Sequence, residues 1–124
     1  MVMPYLHFNG NCEEAFNFYA KCFEGSAVHI SRMHNDPNNN VMHAELRLAE
    51  GGGIAGSDWK YSDEKAGIQI LVLLPSRERA EKVISLLSEG GTVVKAFAPH
   101  PPPDDGGGGS EVLDKYGYTW FICA

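Results

Sequence analysis

The chain is poor in cysteine. Cys12, Cys22 and Cys123 are its three, an odd number with no Cys-x-x-Cys among them. That excludes a disulfide framework and a thiolate zinc site, and it reads as free thiols in a reducing compartment. A cytoplasmic location is the expectation. Long apolar runs are also missing. The longest, Ile70 to Leu74, falls far short of the roughly 20 residues that cross a bilayer, so no membrane partner is expected. The amino terminus, Met1-Val2-Met3-Pro4-Tyr5, shows no basic region leading into an apolar stretch, and no signal peptide is read there. Basic residues are outnumbered, 10 against 16 acidic, for a net charge of −6, and they form no stripe. Nucleic-acid phosphates need a basic face, so nucleic acid is not an expected partner. Two further templates are absent. No Gly-x-Ser-x-Gly elbow occurs, and the run Gly106 to Gly109 lacks the lysine and the following helix of a phosphate loop.

What is present is ordinary globular composition at a length suited to one domain. At 124 residues, with 44% hydrophobic and 21% charged side chains, the chain can build a core and is not disordered by composition. Its most telling property is internal repetition. Residues 3–59 read strand, helix and three strands, and residues 66–123 read the same way, at a period of roughly 60 residues. The spacing predicts a first helix from Asn11. Glu14 completes a capping-box pattern, Ala15, Phe16, Tyr19, Cys22 and Phe23 form one buried stripe, and Gly25 ends the helix. A second helix is predicted from Ser76, with Ala80, Val83, Ile84 and Leu87 on one face and Gly90-Gly91 as its stop.

The strands alternate. Met42, Ala44, Leu46 and Leu48 are expected on one face, and His43, Glu45 and Arg47 on the other. Further strands are expected over Val93 to Phe97, at Val112-Leu113 and over Tyr118 to Ile122. Asn35 to Asn40 reads as a polar hairpin loop. Pro99 to Ser110 reads as a low-complexity loop, stiff in its proline half and floppy in its glycine half, serving as a lid or as disorder. Two half-open sheets set side by side would enclose a cup.

The pattern Pro4-Tyr5-Leu6-x-Phe8-Asn9-Gly10-Asn11-Cys12-Glu13-Glu14-Ala15-Phe16-x-Phe18-Tyr19, followed by Met42-His43-Ala44-Glu45-Leu46-Arg47, Gly56-Ser57-Asp58 and Asp114-Lys115-Tyr116-Gly117-Tyr118-x-Trp120, resembles the PhnB-like branch of the glyoxalase/bleomycin-resistance (vicinal oxygen chelate) superfamily. The resemblance covers nearly the whole chain. It implies an α+β fold, with two βαβββ modules forming a cup-shaped mixed sheet and helices on the outer face, in a single domain over 1–124. It does not select a reaction, because the superfamily hosts lyases, isomerases, dioxygenases, antibiotic-modifying enzymes and drug-binding proteins. This branch often carries a methyltransferase-like label, yet the chain has no glycine-rich nucleotide loop for a methyl donor. Family members usually pair, and sheet edges need cover, so a homodimer is expected.

In metal-dependent members, the first and last strands of each module hold a divalent ion in the cup. Carried over, those positions fall on Pro4, on Gly56 or Ser57 with Asp58 one step away, on Gln69 or Ile68, and on Phe121. Proline and phenylalanine cannot coordinate, and a tight divalent site wants three or four His, Asp, Glu or Cys groups. The expectation is no cofactor and no metal at the usual site.

Candidate ligand-binding residues are His43, Glu45, Arg47, Trp59, Gln69 and Glu111, with Glu45 also the candidate catalytic base. Tyr116 and Trp120 are further cup candidates, Trp120 being the better fit to the core. His7 reads as structural, since Leu6 and Phe8 take the cup-side face. His34 and His100 read as solvated and His29 is undecided. Cys12 and Cys22 receive no catalytic role. Three functions stay open. One is a small-molecule-binding protein for an aromatic or cationic ligand. Another is an enzyme of the lyase, isomerase or dioxygenase type, with zinc, nickel or manganese in a rearranged site at His43 and Glu45. The third is a cup that has lost its ligand and serves a regulatory or scaffold role.

Overall fold

The computed structural model describes every residue except Asp104 and Asp105. The chain divides into two compact units, Met1–Glu64 and Lys65–Ala124. In the first, β1 (Tyr5–His7) leads into α1 (Cys12–Cys22), then β2 (Ala27–Arg32), β3 (Val41–Arg47) and β4 (Gly53–Ser57). In the second, β5 (Ile70–Leu73) leads into α2 (Arg77–Leu87), then β6 (Thr92–Pro99), β7 (Gly108–Leu113) and β8 (Thr119–Cys123). The sheet orders are β1-β4-β3-β2 and β5-β8-β7-β6. In each, the first strand pairs parallel to the last, and the remaining pairs are antiparallel. The α+β repeat is therefore two βαβββ units, each with its own four-stranded mixed sheet.

In the first unit α1 buries Cys12, Ala15, Phe16, Tyr19 and Cys22. They meet Leu6, Phe8, Ala44, Leu46 and Ile54, all buried, and Phe16 packs edge-on against Phe8 and Tyr19. Gly56 makes this approach possible. A Cβ there would stand 2.6 Å from the Leu6 carbonyl oxygen and 2.9 Å from the Phe16 ring.

Two expectations for this unit need correction. The Asn11 side chain does not cap α1. The Asp58 carboxylate caps it instead, accepting from the Gly10 and Cys12 amides through one oxygen and from the Val41 amide through the other. Met42 does not share the buried face with Ala44 and Leu46. The register against β2 slips between Ser31 and Arg32, a bulge that leaves Met42 out of the ladder, half-exposed, and turns Val41 inward.

In the second unit Ser76 does cap α2, its hydroxyl accepting from the Arg79 amide at 3.1 Å. Ala80, Val83 and Leu87 are buried, while Ile84 is only partly so. They pack toward Ile70, Val72, Val112, Trp120 and Ile122, all buried. Trp120 is core, its indole donating to Asp114 at 2.9 Å. The glycine half of the 99–110 segment is not simply loose. Gly108 and Gly109 open β7 and pair with β6 and β8. A side chain at Gly109 would strike the Phe121 ring, 2.7 Å away. β6 runs on to Pro99, so the connection is residues 100–107, and Asp104 and Asp105 within it lie outside the described residues. Among the described residues no helix is long and apolar enough to cross a membrane.

Candidate functional site

Each sheet has one face under its helix and one face without helix cover. On the first sheet the alternation of β1 decides what the uncovered face carries. Leu6 and Phe8 turn to α1, so Tyr5 and His7 turn the other way. This reverses the expectation that Leu6 and Phe8 take the cup side. His7 belongs with the polar face, and Tyr5, not among the candidates, joins it. Registers extend the row: Tyr5 lies opposite Ala55, Ala55 opposite Glu45, and Glu45 opposite His29.

The side chains form a continuous network. Glu45 stands at its centre and can only accept. Its Oε2 is 2.8 Å from His43 Nε2, and its Oε1 takes Arg47 Nε at 3.0 Å and Nη2 at 2.7 Å. His43 Nδ1 is 3.2 Å from the Tyr5 hydroxyl. Because Nε2 must carry a proton to donate to the carboxylate, a neutral His43 accepts from Tyr5 at Nδ1. The rings of Tyr5 and His43 lie 5.6 Å apart, and those of Tyr5 and His7 5.2 Å apart. His7 Nδ1 donates to the Trp59 carbonyl oxygen at 2.7 Å, which fixes the backbone where the half-exposed Trp59 side chain emerges. The Lys60 ammonium sits 4.9 Å over the Trp59 ring. The hydrogen bonds from His43 and then Arg47 hold the Glu45 carboxyl below its ordinary value.

The second sheet brings together two more candidates. Gln69 Nε2 donates to Glu111 Oε1 at 2.9 Å, and both line an open groove of about 490 Å³ with Lys65, Ile68 and Thr119. Lys95 pairs with Glu111 across the ladder. Tyr116 lies in the tight turn between β7 and β8, its amide donating to Asp114. His100 meets the edge of Phe121 at 6.0 Å, whereas His34 is exposed as expected. Cys12 is buried, which raises its thiol to about 12, and burial raises Cys123 as well.

The positions that the family resemblance assigns to an ion have other occupations here. The Pro4 carbonyl oxygen accepts from the Ala55 amide. Gly56 faces α1 and Asp58 serves as a cap. The Ser57 hydroxyl is fully buried and has no hydrogen-bond partner among the described residues. Gln69 is tied to Glu111, and Phe121 offers a ring. Among the described residues no group of three His, Cys, Asp or Glu side chains could hold a metal ion.

A family model described as 3-demethylubiquinone-9 3-methyltransferase matches residues 1–123. No curated protein gives a match. Among solved structures, one described as a 3-demethylubiquinone-9 3-methyltransferase, PhnB protein, from Bacillus cereus is 25% identical at TM-score 0.77, covering 97% of this chain and 95% of that one. A protein from Pseudomonas aeruginosa is 28% identical at TM-score 0.79, covering 98% and 94%. A genomically encoded fosfomycin resistance protein from Listeria monocytogenes, solved with manganese(II) and sulfate, is 13% identical at TM-score 0.68 over 100% and 90% and shares the fold.

Proposed function

This chain belongs to the 3-demethylubiquinone-9 3-methyltransferase family, a PhnB-like branch of the glyoxalase/bleomycin-resistance superfamily, and we propose that it binds a small organic molecule on the uncovered face of its first sheet without a divalent metal. One observation carries the reading. Both nitrogens of His43 and both oxygens of Glu45 are already hydrogen-bonded, to Tyr5, to each other and to Arg47. An ion on His43 would have to displace Tyr5 or Glu45, and the pair would give it two ligands at most, where a tight site needs three or four. The superfamily's metal does not fit this donor set, because Pro4 and Phe121 supply no side-chain lone pair and Asp58 is committed to three amides.

The same face suits an organic ligand. Tyr5, His7 and Trp59 offer rings for a flat molecule, Arg47 has N–H groups left to orient it, and His43 and Glu45 hold Tyr5 and Arg47 in place. Net charge −6 favours a cationic group on it. Gln69 and Glu111 are a second polar pair of ligand-binding character. The residues of this chain do not support the methyl-transfer activity in the family's name. None of the glycine runs Gly51–Gly53, Gly90-Gly91 and Gly106–Gly109 opens a helix, so none forms the loop that a nucleotide-bearing methyl donor would need.

We also propose a homodimer. Leu71 and Leu73 are 63% and 68% exposed on β5, an edge strand, and want cover. Light scattering that gives a 13.6 kDa monomer at micromolar concentration contradicts this. The metal-free reading is tested by metal analysis of protein purified without chelator, and by melting with zinc, nickel or manganese added. It predicts no stoichiometric ion and no shift. A bound ion that Glu45→Ala removes would overturn it in favour of a rearranged metal enzyme.

A further inference from the structure

Three side chains on the first sheet form a line with a direction. Glu45 accepts from His43 Nε2, and His43 Nδ1 accepts from the Tyr5 hydroxyl. The carboxylate fixes the imidazole tautomer, and the tautomer turns its lone pair toward the phenol. Arg47 holds the carboxylate in place through its other oxygen. Tyr5 is 41% exposed, so a small molecule can reach its side chain on this face. His7 lies beside its ring and His29 lies across from Glu45, while Ala55 and Ser57 on β4 bring no charge.

We propose that Tyr5 is the reactive group of this face, a phenol activated by the Glu45–His43 pair, and that it attacks acyl compounds that carry a leaving group. In the step, the Tyr5 oxygen bonds to the carbonyl carbon and its proton passes to His43 Nδ1. The imidazolium is stabilised by Glu45. The leaving group departs with the bonding electron pair and takes up the proton from His43, which leaves His43 neutral and Tyr5 as an acyl ester. His43 is the general base and acid of this scheme, and Glu45 is a positioning residue, because it acts through His43.

The chain contains its own control. Tyr61 is 43% exposed, close to Tyr5, but its hydroxyl donates to the Asp63 carboxylate at 2.6 Å, an arrangement that raises its pKa. Tyr19 is fully buried and reports on folding.

The test is acetylation by N-acetylimidazole at neutral pH, with each tyrosine followed by peptide mass spectrometry. Tyr5 is expected to react about ten-fold faster than Tyr61, short of the roughly 10² to 10⁴ of enclosed sites because water reaches this face. In His43→Gln, whose amide can still accept a hydrogen bond but is not a base, the Tyr5 rate falls to within about two-fold of Tyr61. The wild-type Tyr5 rate drops in heavy water, and that drop vanishes in His43→Gln, which a merely structural histidine would not produce. Tyr19 stays unmodified in every folded variant. Equal rates at Tyr5 and Tyr61 in the wild type, or a Tyr5 rate that His43→Gln leaves unchanged, overturn the proposal. The reagent is not the natural ligand, so either outcome leaves the binding proposal to its own test.

Discussion

Replacing Asp58 with alanine should cost the protein much of its stability in metal-free buffer. Asp58 accepts three amide hydrogen bonds at 2.9–3.0 Å, which join the end of β4 to the start of α1 and the start of β3. Gly10 is exposed, so water can replace the carboxylate at that amide. Cys12 and Val41 are buried, 0% and 1% exposed, and their amides would be left without an acceptor. A buried unsatisfied donor costs about 1–3 kcal/mol, which puts the loss at about 3 kcal/mol, since Asp58 itself is partly open to solvent. For a chain of this size each kcal/mol moves the melting temperature by about 4 °C, so the variant should melt about 12 °C lower. Asp58→Asn should recover about half of that, because its amide nitrogen would meet another N–H where a carboxylate oxygen now accepts. Calorimetric melting with urea midpoints measures both variants. If Asp58 were a metal ligand instead, its removal would relieve carboxylate desolvation in metal-free protein. An Asp58→Ala variant melting within about 2 °C of wild type would refute the capping argument.

Other perturbations follow from the same geometry. Gly56→Ala should destabilise by about 1–3 kcal/mol through overpacking against the Leu6 carbonyl and the Phe16 ring, read as a lowered urea midpoint without a change in slope. Because hydrogen bonds from His43 and Arg47 lower the Glu45 carboxyl, its contribution to stability is present above the ordinary value of 4.5 and lost as pH falls through the lowered one. Melting temperatures of wild type and Glu45→Gln should therefore differ slightly at neutral pH and converge in acid, and a gap that widens in acid contradicts the sign. Cys12, raised to about 12 by burial, should resist iodoacetamide at pH 8 in native protein and react only after unfolding.

Local signals in the sequence were enough for the helices, their stripes and the doubled topology. Ala15, Phe16, Tyr19 and Cys22 return to one face from turn to turn of a single helix, and Ser76 caps from the adjacent residue. What escaped were features set by distant partners. Asn11 has the chemistry of a cap, but Asp58 arrives from another strand and takes the amides first. Met42 sits in strict alternation until a bulge against β2 displaces it. Alternation puts Leu6 and Phe8 on one face of β1 but does not say which, because that depends on where α1 packs. The candidate trio His43, Glu45 and Arg47 was legible because alternation within one strand keeps it on one face. Tyr5 was not, since its part depends on a strand two places away in the sheet.

The most direct test is calorimetric titration of cationic aromatic compounds into chelator-stripped protein, repeated with manganese restored and with Glu45→Ala. The account predicts binding tighter than millimolar that is the same with and without metal and is lost in the variant. Binding that appears only when manganese is restored, or that survives Glu45→Ala unchanged, would contradict it.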